Sequence, residues 1–144
     1  GGFIRRVAGP LQHPNGIGLS PDGRTLLVAE TFAAGLCAFP ILGPGELGQR
    51  RPFGSLPSGY HPDGFCVDED GYVLVCGVLG GGVVVFDPDG RQVDVLACED
   101  KAVTNVAFGG PDYTTLYITE SGLGRVVSRA WPRRGLVLFP DRTA

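Results

Sequence analysis

The stretch HPNGIGLSPDGRTLLVAET, residues 13–31, decides the fold of this chain. It contains a turn, a short apolar strand, a second turn centred on an Asp-Gly pair, and another apolar strand. The same order of features returns in HPDGFCVDEDGYVLVCGV, residues 61–78, and in VTNVAFGGPDYTTLYITE, residues 103–120. The sequence is therefore built from repeated units of strands and tight turns.

Two anchor points repeat together along the chain. Asn15 and Asp63 are 48 residues apart, and Asp63 and Asn105 are 42 residues apart. The aspartates of the hairpin turns, at positions 22, 70 and 112, show the same two spacings. A period in the forties with several strands per unit is typical of β-propellers. The sequence predicts an all-β protein of about three four-stranded β-propeller blades, forming one partial propeller domain over residues 1–144.

The second unit shows its four strands most clearly, as GFCVD, YVLVCGV, GGVVVFD and RQVDVLA between residues 64 and 97. Asp-Gly pairs at 22–23, 70–71 and 89–90 suit tight hairpins because glycine tolerates positive φ, so we expect these aspartates to be structural. The first strand of each unit is apolar on both faces, which predicts that it is enclosed between blades. The residues concerned are Ile17, Leu19, Phe65, Val67, Val106 and Phe108.

Four other segments carry weaker expectations. GPGELG at 43–48 predicts a loop or hairpin end, and GGFIRRVAG at the start is strand-like, in a chain without an initiator methionine. We expect Trp131 and Phe139 to pack in the core or in a closing strand. The cysteines at 37, 66, 76 and 98 lack metal-type spacing, so we expect reduced, buried thiols, with a disulfide between neighbouring strands as the alternative.

Composition excludes several classes of function. The 24 glycines and 12 prolines leave no long stretch for an amphipathic helix. The net charge is −3, and the one cluster of positive residues is Arg125, Arg129, Arg133 and Arg134. We interpret Arg133 and Arg134 as a solvated turn and expect no nucleic-acid partner. No signal peptide is visible and no apolar run approaches the ~20 residues of a membrane span, so we expect a cytoplasmic protein without a membrane partner.

Asp63 is the strongest candidate for a functional residue, because it lies between Pro62 and Gly64 at the start of an inner strand. Equivalent positions of successive blades converge on the channel of a propeller, so the repeat predicts that Asn15, Asp63 and Asn105 face one axis. One carboxylate beside amide oxygens is a hard-oxygen set that suits Ca²⁺ or Mg²⁺. Such side chains also cap turns, and the pattern alone is equally compatible with that role.

HPNGIGLSPDGRTLLVAET, PDGFCVDEDG and TNVAFGGPDYTTLYIT, with the terminal GRVVSRAWPRRGLVLF, resemble the gluconolactonase or regucalcin (senescence marker protein) family. The resemblance runs through nearly the whole chain. It implies a six-bladed propeller with one divalent cation in its channel, preferably Ca²⁺, with Mg²⁺, Mn²⁺ or Zn²⁺ as alternatives. It also implies that Asn15 and Asp63 are metal ligands, that Asp63 is the catalytic base, and that Asn105 lines the substrate pocket.

The implied activity is metal-dependent hydrolysis of a sugar-type lactone, a carboxylic ester hydrolysis. The cation would polarise the ring carbonyl while Asp63 assists the attack of water. About three blades are half of such a propeller, so we expect an N-terminal half to be missing and to be needed for activity. The family takes a glutamate ligand and a substrate-binding arginine and asparagine from that half. Glu30 is not expected to replace the glutamate, because it lies at the far end of a second strand.

Two other hypotheses remain open at this point. The chain could be a non-catalytic propeller module that serves as a binding or assembly surface. Two copies could also close the incomplete ring as a homo-oligomer, because open blades leave exposed sheet edges. His13 and His61 precede the turn motifs without zinc-type spacing, and we expect them to pack on the turns rather than bind metal.

Overall fold

The computed structural model describes residues 2–138, which form three successive antiparallel sheets. The first sheet contains β1 (Pro14–Leu19), β2 (Thr25–Glu30), β3 (Gly35–Gly43), β4 (Glu46–Leu47) and β5 (Arg51–Ser55). The long strand β3 pairs with β2 on one edge and shares its other edge between β4 and β5. The expected hairpin end at 43–48 is confirmed: β3 turns into β4 through Gly45, whose φ of +71° suits glycine.

The second sheet has the predicted four strands in sequence order: β6 (His61–Val67), β7 (Val73–Val78), β8 (Gly82–Phe86) and β9 (Gln92–Ala97). The third sheet has three strands within the described residues: β10 (Val103–Gly109), β11 (Thr115–Glu120) and β12 (Arg125–Ala130). The predicted all-β architecture of propeller blades is therefore confirmed. Between residues 2 and 138 there is no helix long and apolar enough to cross a membrane.

The core lies in two layers, one on each face of the second sheet. Alternate side chains of a strand point to opposite faces, so β7 and β8 supply both layers. One layer joins the second sheet to the first and contains Leu27, Ala29, Leu36, Ala38, Val67, Val73, Val75, Val84 and Phe86. The other joins it to the third and contains Leu74, Cys76, Val83, Val85, Leu96, Val103, Val106, Leu116 and Ile118. The second sheet is thus buried on both faces, as expected for a blade between two others.

Two expectations about the outer parts of the chain are wrong. The first strands of the units are not all enclosed, because Ile17 is 66% exposed and Leu19 is 37% exposed. Within the described residues β1 packs against β6 and has no further sheet on its other side. The strand-like segment at the start also forms no strand between residues 2 and 13; there, Ala8 and Leu11 pack on the outer face of the first sheet.

The cysteines agree with the expectation of reduced thiols. All four are free, with Cys37 and Cys76 buried and the other two half-buried. Burial raises the pKa of every one of them, which keeps them in the unreactive thiol form at neutral pH.

Aspartate side chains close the hairpin turns, although two of them are not the expected residues. Asp22 accepts the backbone N–H two residues later at 3.0 Å. In the turns after β6 and β8 the capping carboxylates belong to Asp68 and Asp87, two residues before the expected Asp70 and Asp89. Each of them accepts two backbone N–H groups between 2.9 and 3.1 Å. A carboxylate at the start of a turn reaches forward to these groups, which explains the shift.

The segment 131–138 packs back onto the second sheet. Trp131 is buried in the core, as expected, whereas Phe139 lies outside the described residues. The interpretation of Arg133 as part of a solvated turn is wrong, because its Nε donates a hydrogen bond of 2.7 Å to the buried carboxylate of Asp68. The pair places the guanidinium of Arg133 against a carboxylate that has no exposed surface.

Candidate functional site

The candidate site lies where the first strands of the sheets begin. In β1 the register shifts between Pro14 and Ile17, and in β6 it shifts between Pro62 and Phe65. Each shift is a bulge that gives the first strand one residue more than its partner. The residues inside the bulges are the Asn-Gly pair at 15–16 and the Asp-Gly pair at 63–64. A bulge redirects side chains, and here it does so at the same position of two neighbouring blades.

Asn15 and Asp63 are brought together by this arrangement. Asp63 is half-buried, and burial raises the pKa of its carboxyl. A hydrogen bond from the Asn15 side chain and the positive charge that His13 can carry oppose the rise in pKa. None of the ion pairs in residues 2–138 joins Asp63 to a lysine or arginine. Asp63 is therefore a partly desolvated carboxylate whose described neighbours leave its negative charge poorly compensated.

Glycine keeps the two blades close at this point. A Cβ placed on Gly16 would lie 2.5 Å from the backbone oxygen of Asp63 and 2.7 Å from the ring of Phe65. A Cβ on Gly64 would lie 2.2 Å from the Asn105 side chain and 3.0 Å from the backbone oxygen of Thr104. In both blades the residue after the polar one must lack a side chain so that the next blade can approach.

Gly16→Ala is expected to separate β1 from β6 and to lower the free energy of unfolding by about 2 kcal/mol, since overpacking in a tight contact forces backbone shifts. The matched control is Gly43→Ala, where the new Cβ would meet its nearest atom, on Glu46, at an ordinary 3.5 Å. Urea unfolding of both variants measures the difference. Equal transition midpoints for the two variants would contradict the close approach.

The third blade contributes to the site in a different register from the one expected. Glu30 pairs with Pro14, and Glu120 pairs with Val103, so the ends of the second strands align the first and third blades. On this alignment Thr104, rather than Asn105, occupies the position of Asn15. Asn105 falls at the position of the glycine, and its side chain covers Gly64 of the neighbouring blade. After this position β10 continues for four residues, 106–109, whereas β1 continues for three, 17–19, so spacing from the turn aspartates places Asn105 one position off.

Thr104 belongs to a cluster of hydroxyl groups that sequence reasoning missed. Its Oγ1 is 2.9 Å from the Thr119 Oγ1 and 2.8 Å from the Ser121 Oγ. The Thr119 hydroxyl in turn accepts the backbone N–H of Asn105 at 2.8 Å. The signal in the sequence was the pair of glutamates that end VAE and ITE. Aligning the units on those residues places Thr104 opposite Asn15.

Glu30 lies closer to the candidate site than its sequence position indicated. Strand β2 runs antiparallel to β1, so its last residue is beside the first residues of β1. The carboxylate is nevertheless occupied, because it accepts the N–H of Gln12 at 2.8 Å and pairs with Arg50. Burial raises the pKa of Glu30, but these contacts outweigh it and the pKa lies below its usual value. These contacts engage the Glu30 carboxylate with Arg50 and Gln12. Its position at the end of β2, from which we expected it to be far from the site, instead places it beside the start of β1.

The two histidines make packing contacts beside the site. His13 stacks on Phe32 with ring centroids 4.6 Å apart. The His61 Nδ1 lies 3.2 Å from the backbone oxygen of Thr31. Within residues 2–138 no three His, Cys, Asp or Glu side chains cluster as a metal site would. Among the described residues, the oxygen donors at this point are the carboxylate of Asp63 and nearby amide and hydroxyl groups.

Residues 1–122 match the family model described as SMP-30/Gluconolactonase/LRE-like region. The chain belongs to this family. A member, the 6-deoxy-6-sulfogluconolactonase of Pseudomonas putida, is 33% identical over 135 residues, covering 91% of this chain and 46% of that protein. The chain thus spans less than half the length of this curated relative.

Solved structures of similar proteins share the fold. A gluconolactonase of Xanthomonas campestris has a TM-score of 0.68 and 38% identity, with 78% of this chain and 36% of that one covered. A regucalcin of Agrobacterium tumefaciens, described as a calcium-binding protein, has a TM-score of 0.73 and 24% identity, with 88% and 48% covered. The sequence resemblance to the gluconolactonase and regucalcin family is therefore confirmed, and so is the partial propeller.

Proposed function

We propose that this protein hydrolyses a lactone with the help of one divalent cation held by Asn15 and Asp63. The observation that carries the proposal is the Asp63 carboxylate, which is half-buried, in contact with an amide side chain, and without a lysine or arginine partner in residues 2–138. Of the buried carboxylates, Glu30, Asp68 and Glu120 each have an arginine, and Asp100 accepts two backbone N–H groups instead. A bound cation would compensate the negative charge of Asp63, which has no lysine or arginine partner in residues 2–138.

The donor set fits a hard cation. A carboxylate and an amide oxygen are ligands that Ca²⁺ accepts readily, with Mg²⁺, Mn²⁺ and Zn²⁺ as alternatives. Asn15 and Asp63 line the same cavity, so the carbonyl oxygen of Asn15 can face the same space as the carboxylate. The calcium binding of the regucalcin from Agrobacterium tumefaciens supports the choice of Ca²⁺ as first candidate.

Each residue has a distinct task in this proposal. A bound divalent cation would supply positive charge that polarises the lactone carbonyl. The Asp63 carboxylate would accept the proton of a water molecule as that water attacks the carbonyl carbon. Asn15 lies beside Asp63 in the wall of the same cavity and would hold the cation together with it. Asn105, whose side chain lies against Gly64 directly after Asp63, and the hydroxyl of Thr104 would bind polar groups of the substrate.

Lactonases among the relatives support the reaction class. The Pseudomonas putida and Xanthomonas campestris proteins are lactonases for sugar-type rings, so sugar lactones are the first substrates to test. The chain spans less than half of those proteins, and activity is proposed for the protein that contains this chain.

The test is cation dependence of lactone hydrolysis together with Asn15→Ala. After removal of metal with a chelator, hydrolysis is expected to be lost and to return on addition of Ca²⁺, Mg²⁺, Mn²⁺ or Zn²⁺. Asn15→Ala is expected to raise the cation concentration needed for half-maximal activity about ten-fold, as loss of a ligand or of its support does in metal sites. Gln92→Ala, an exposed change in β9, is the control.

Two outcomes would overturn the proposal. Hydrolysis that is indifferent to both chelation and Asn15→Ala would exclude this site as the metal centre. Cation binding without hydrolysis of any lactone would instead favour the non-catalytic binding module.

A further inference from the structure

A cavity of about 430 Å³ opens directly beside the candidate site. Its walls include Asn15 and Asp63 themselves, so anything held there touches the proposed reacting centre. The remaining walls come from two loops and the start of β6: Thr31, Phe32, His61, Pro62, Val78 and Leu79. A space of this size is in the range of small-molecule sites.

The walls beyond the two site residues are mainly apolar. Phe32 is 71% exposed and Leu79 is 64% exposed, and they stand in the corresponding loops of the first and second blades. Each follows the end of a second strand, β2 for Phe32 and β7 for Leu79. The polar groups between them are already used: the Thr31 hydroxyl donates to the Pro62 carbonyl at 2.9 Å, and His61 contacts the Thr31 carbonyl.

Leu79 is held in a conformation that favours glycine. Its φ is +69°, in the left-handed region, which costs a residue with a Cβ on the order of 1 kcal/mol. Three glycines follow it in the sequence, and a glycine at this position would adopt the same φ at no steric cost. Burial does not offset the cost, since most of the side chain is exposed. Strain of this kind at a site edge points to a functional use of the side chain.

Backbone hydrogen bonds hold the two loops in place, and a ring contact holds Phe32 as well. The N–H of Leu79 donates to the carbonyl of Lys101 at 2.7 Å, and the N–H of Phe32 donates to the carbonyl of Gln12 at 3.3 Å. Phe32 is also stacked on His13. The apolar wall is therefore preformed, so that a ligand does not bear the cost of ordering it.

We infer that the cavity between Phe32 and Leu79 receives an apolar alkyl or aryl substituent of the lactone. The inference rests on the proposed lactone hydrolysis and specifies its substrate class. A sugar lactone carries hydroxyl groups on most of its ring carbons, and those placed against Phe32 and Leu79 would lose water without gaining a hydrogen bond. An alkyl chain gains from the same contact, because each buried methylene is favourable.

Binding of unreactive lactams separates this inference from the proposed hydrolysis. The probes are a δ-lactam with a pentyl chain next to the ring nitrogen and the matched δ-lactam of gluconic acid, both titrated by calorimetry in the presence of Ca²⁺. The pentyl lactam is expected to bind about ten-fold or more tightly than the polyol lactam, the range that a few buried methylenes supply. Phe32→Ser and Leu79→Ser are each expected to remove most of that preference.

The control for the two variants is Leu42→Ser, an exposed leucine of β3 that lies away from the cavity. Equal or weaker binding of the pentyl lactam, or a preference that survives both serine variants, would overturn the inference. Absence of lactone hydrolysis with the lactam preference intact would instead reject the proposed function and leave the apolar subsite standing.

Discussion

Replacing Asp63 by asparagine is expected to lower lactone hydrolysis about a thousand-fold, the scale of general-base catalysis combined with loss of a charged ligand. The amide keeps the shape and the contact with Asn15, but it cannot take a proton and carries no charge to hold a cation. The measurement is the initial rate of hydrolysis at saturating cation. Asp70→Asn, in the exposed hairpin turn of the same blade, is the matched control and is expected to keep full activity.

The stability of the wild type and of Asp63→Asn, compared as a function of pH, reports on the charge of Asp63. Burial raises the pKa of this carboxyl, so the folded state holds its proton to higher pH than the unfolded chain does. Without cation, the wild type therefore loses stability as pH rises from the unfolded value of about 3.9 through the raised folded value. Asp63→Asn lacks this loss. Urea unfolding at a series of pH values compares them, and parallel curves would contradict a desolvated Asp63.

Asp68→Ala is expected to destabilise the fold by about 3 kcal/mol, the largest effect among the turn aspartates. Its buried carboxylate accepts hydrogen bonds from the Trp131 Nε1 at 3.0 Å and from Arg133 at 2.7 Å, besides two backbone groups. The Arg133 guanidinium also lies 3.7 Å from the centre of the Tyr72 ring. Without the carboxylate, a buried indole N–H loses its partner and the arginine loses its counter-charge.

Asp87→Ala is the matched control for Asp68→Ala. Asp87 accepts the same two kinds of backbone N–H group at 3.0 and 2.9 Å, but no tryptophan or buried arginine approaches it in the described residues. We expect a cost of about 1 kcal/mol for this variant. Thermal or urea unfolding distinguishes the two, and similar losses for both would mean that the contacts to Trp131 and Arg133 add nothing.

The repeat predicted the strands of the second blade because local signals sufficed there. Its turns carry Asp-Gly pairs, and its strands are runs of valine and leucine that are buried on both faces. The sequence could not show that β3 pairs with both β4 and β5, since pairing of edges depends on which strands meet in space. The exposure of Ile17 likewise depends on neighbours rather than on the strand itself.

The candidate site was predictable where the repeat is regular. Asn15 and Asp63 lie in identical motifs and identical bulges, and the structure brings them into contact. Asn105 was placed from the turn aspartates, and one extra residue of β10 between its register shift and the turn displaced it relative to Thr104. The number of residues between a bulge and the next turn differs between the blades, whereas the glutamates that end the second strands pair at the same position of both first strands. Strand ends are therefore the better anchors for such alignments.

The contacts of segment 131–138 could not be predicted from the sequence, because Asp68 and its partner Arg133 are separated by more than sixty residues along the chain. The same segment is hydrogen-bonded to the second and the third sheets. The Leu136 N–H donates to the carbonyl of Val67, at the end of β6, at 3.0 Å, and the Gly135 N–H donates to the carbonyl of Tyr113, in the turn after β10, at 2.8 Å. Asp68 and Asp63 lie at opposite ends of β6, so the contacts that segment 131–138 makes with the second and third sheets are remote from the candidate site.

Because segment 131–138 is bonded to the second and third sheets, the described chain consists of two parts that are held together with unequal strength. The second and third sheets are tied by backbone hydrogen bonds of the final segment as well as by their shared core, whereas the first sheet meets the second through side-chain packing, the glycine contact at Gly16 and the side-chain hydrogen bonds that Thr31 makes with Pro62 and His61. Local opening then separates the first sheet before the other two come apart. Asn15 lies on one side of that division and Asp63 on the other, so the pair exists only while the two units stay docked.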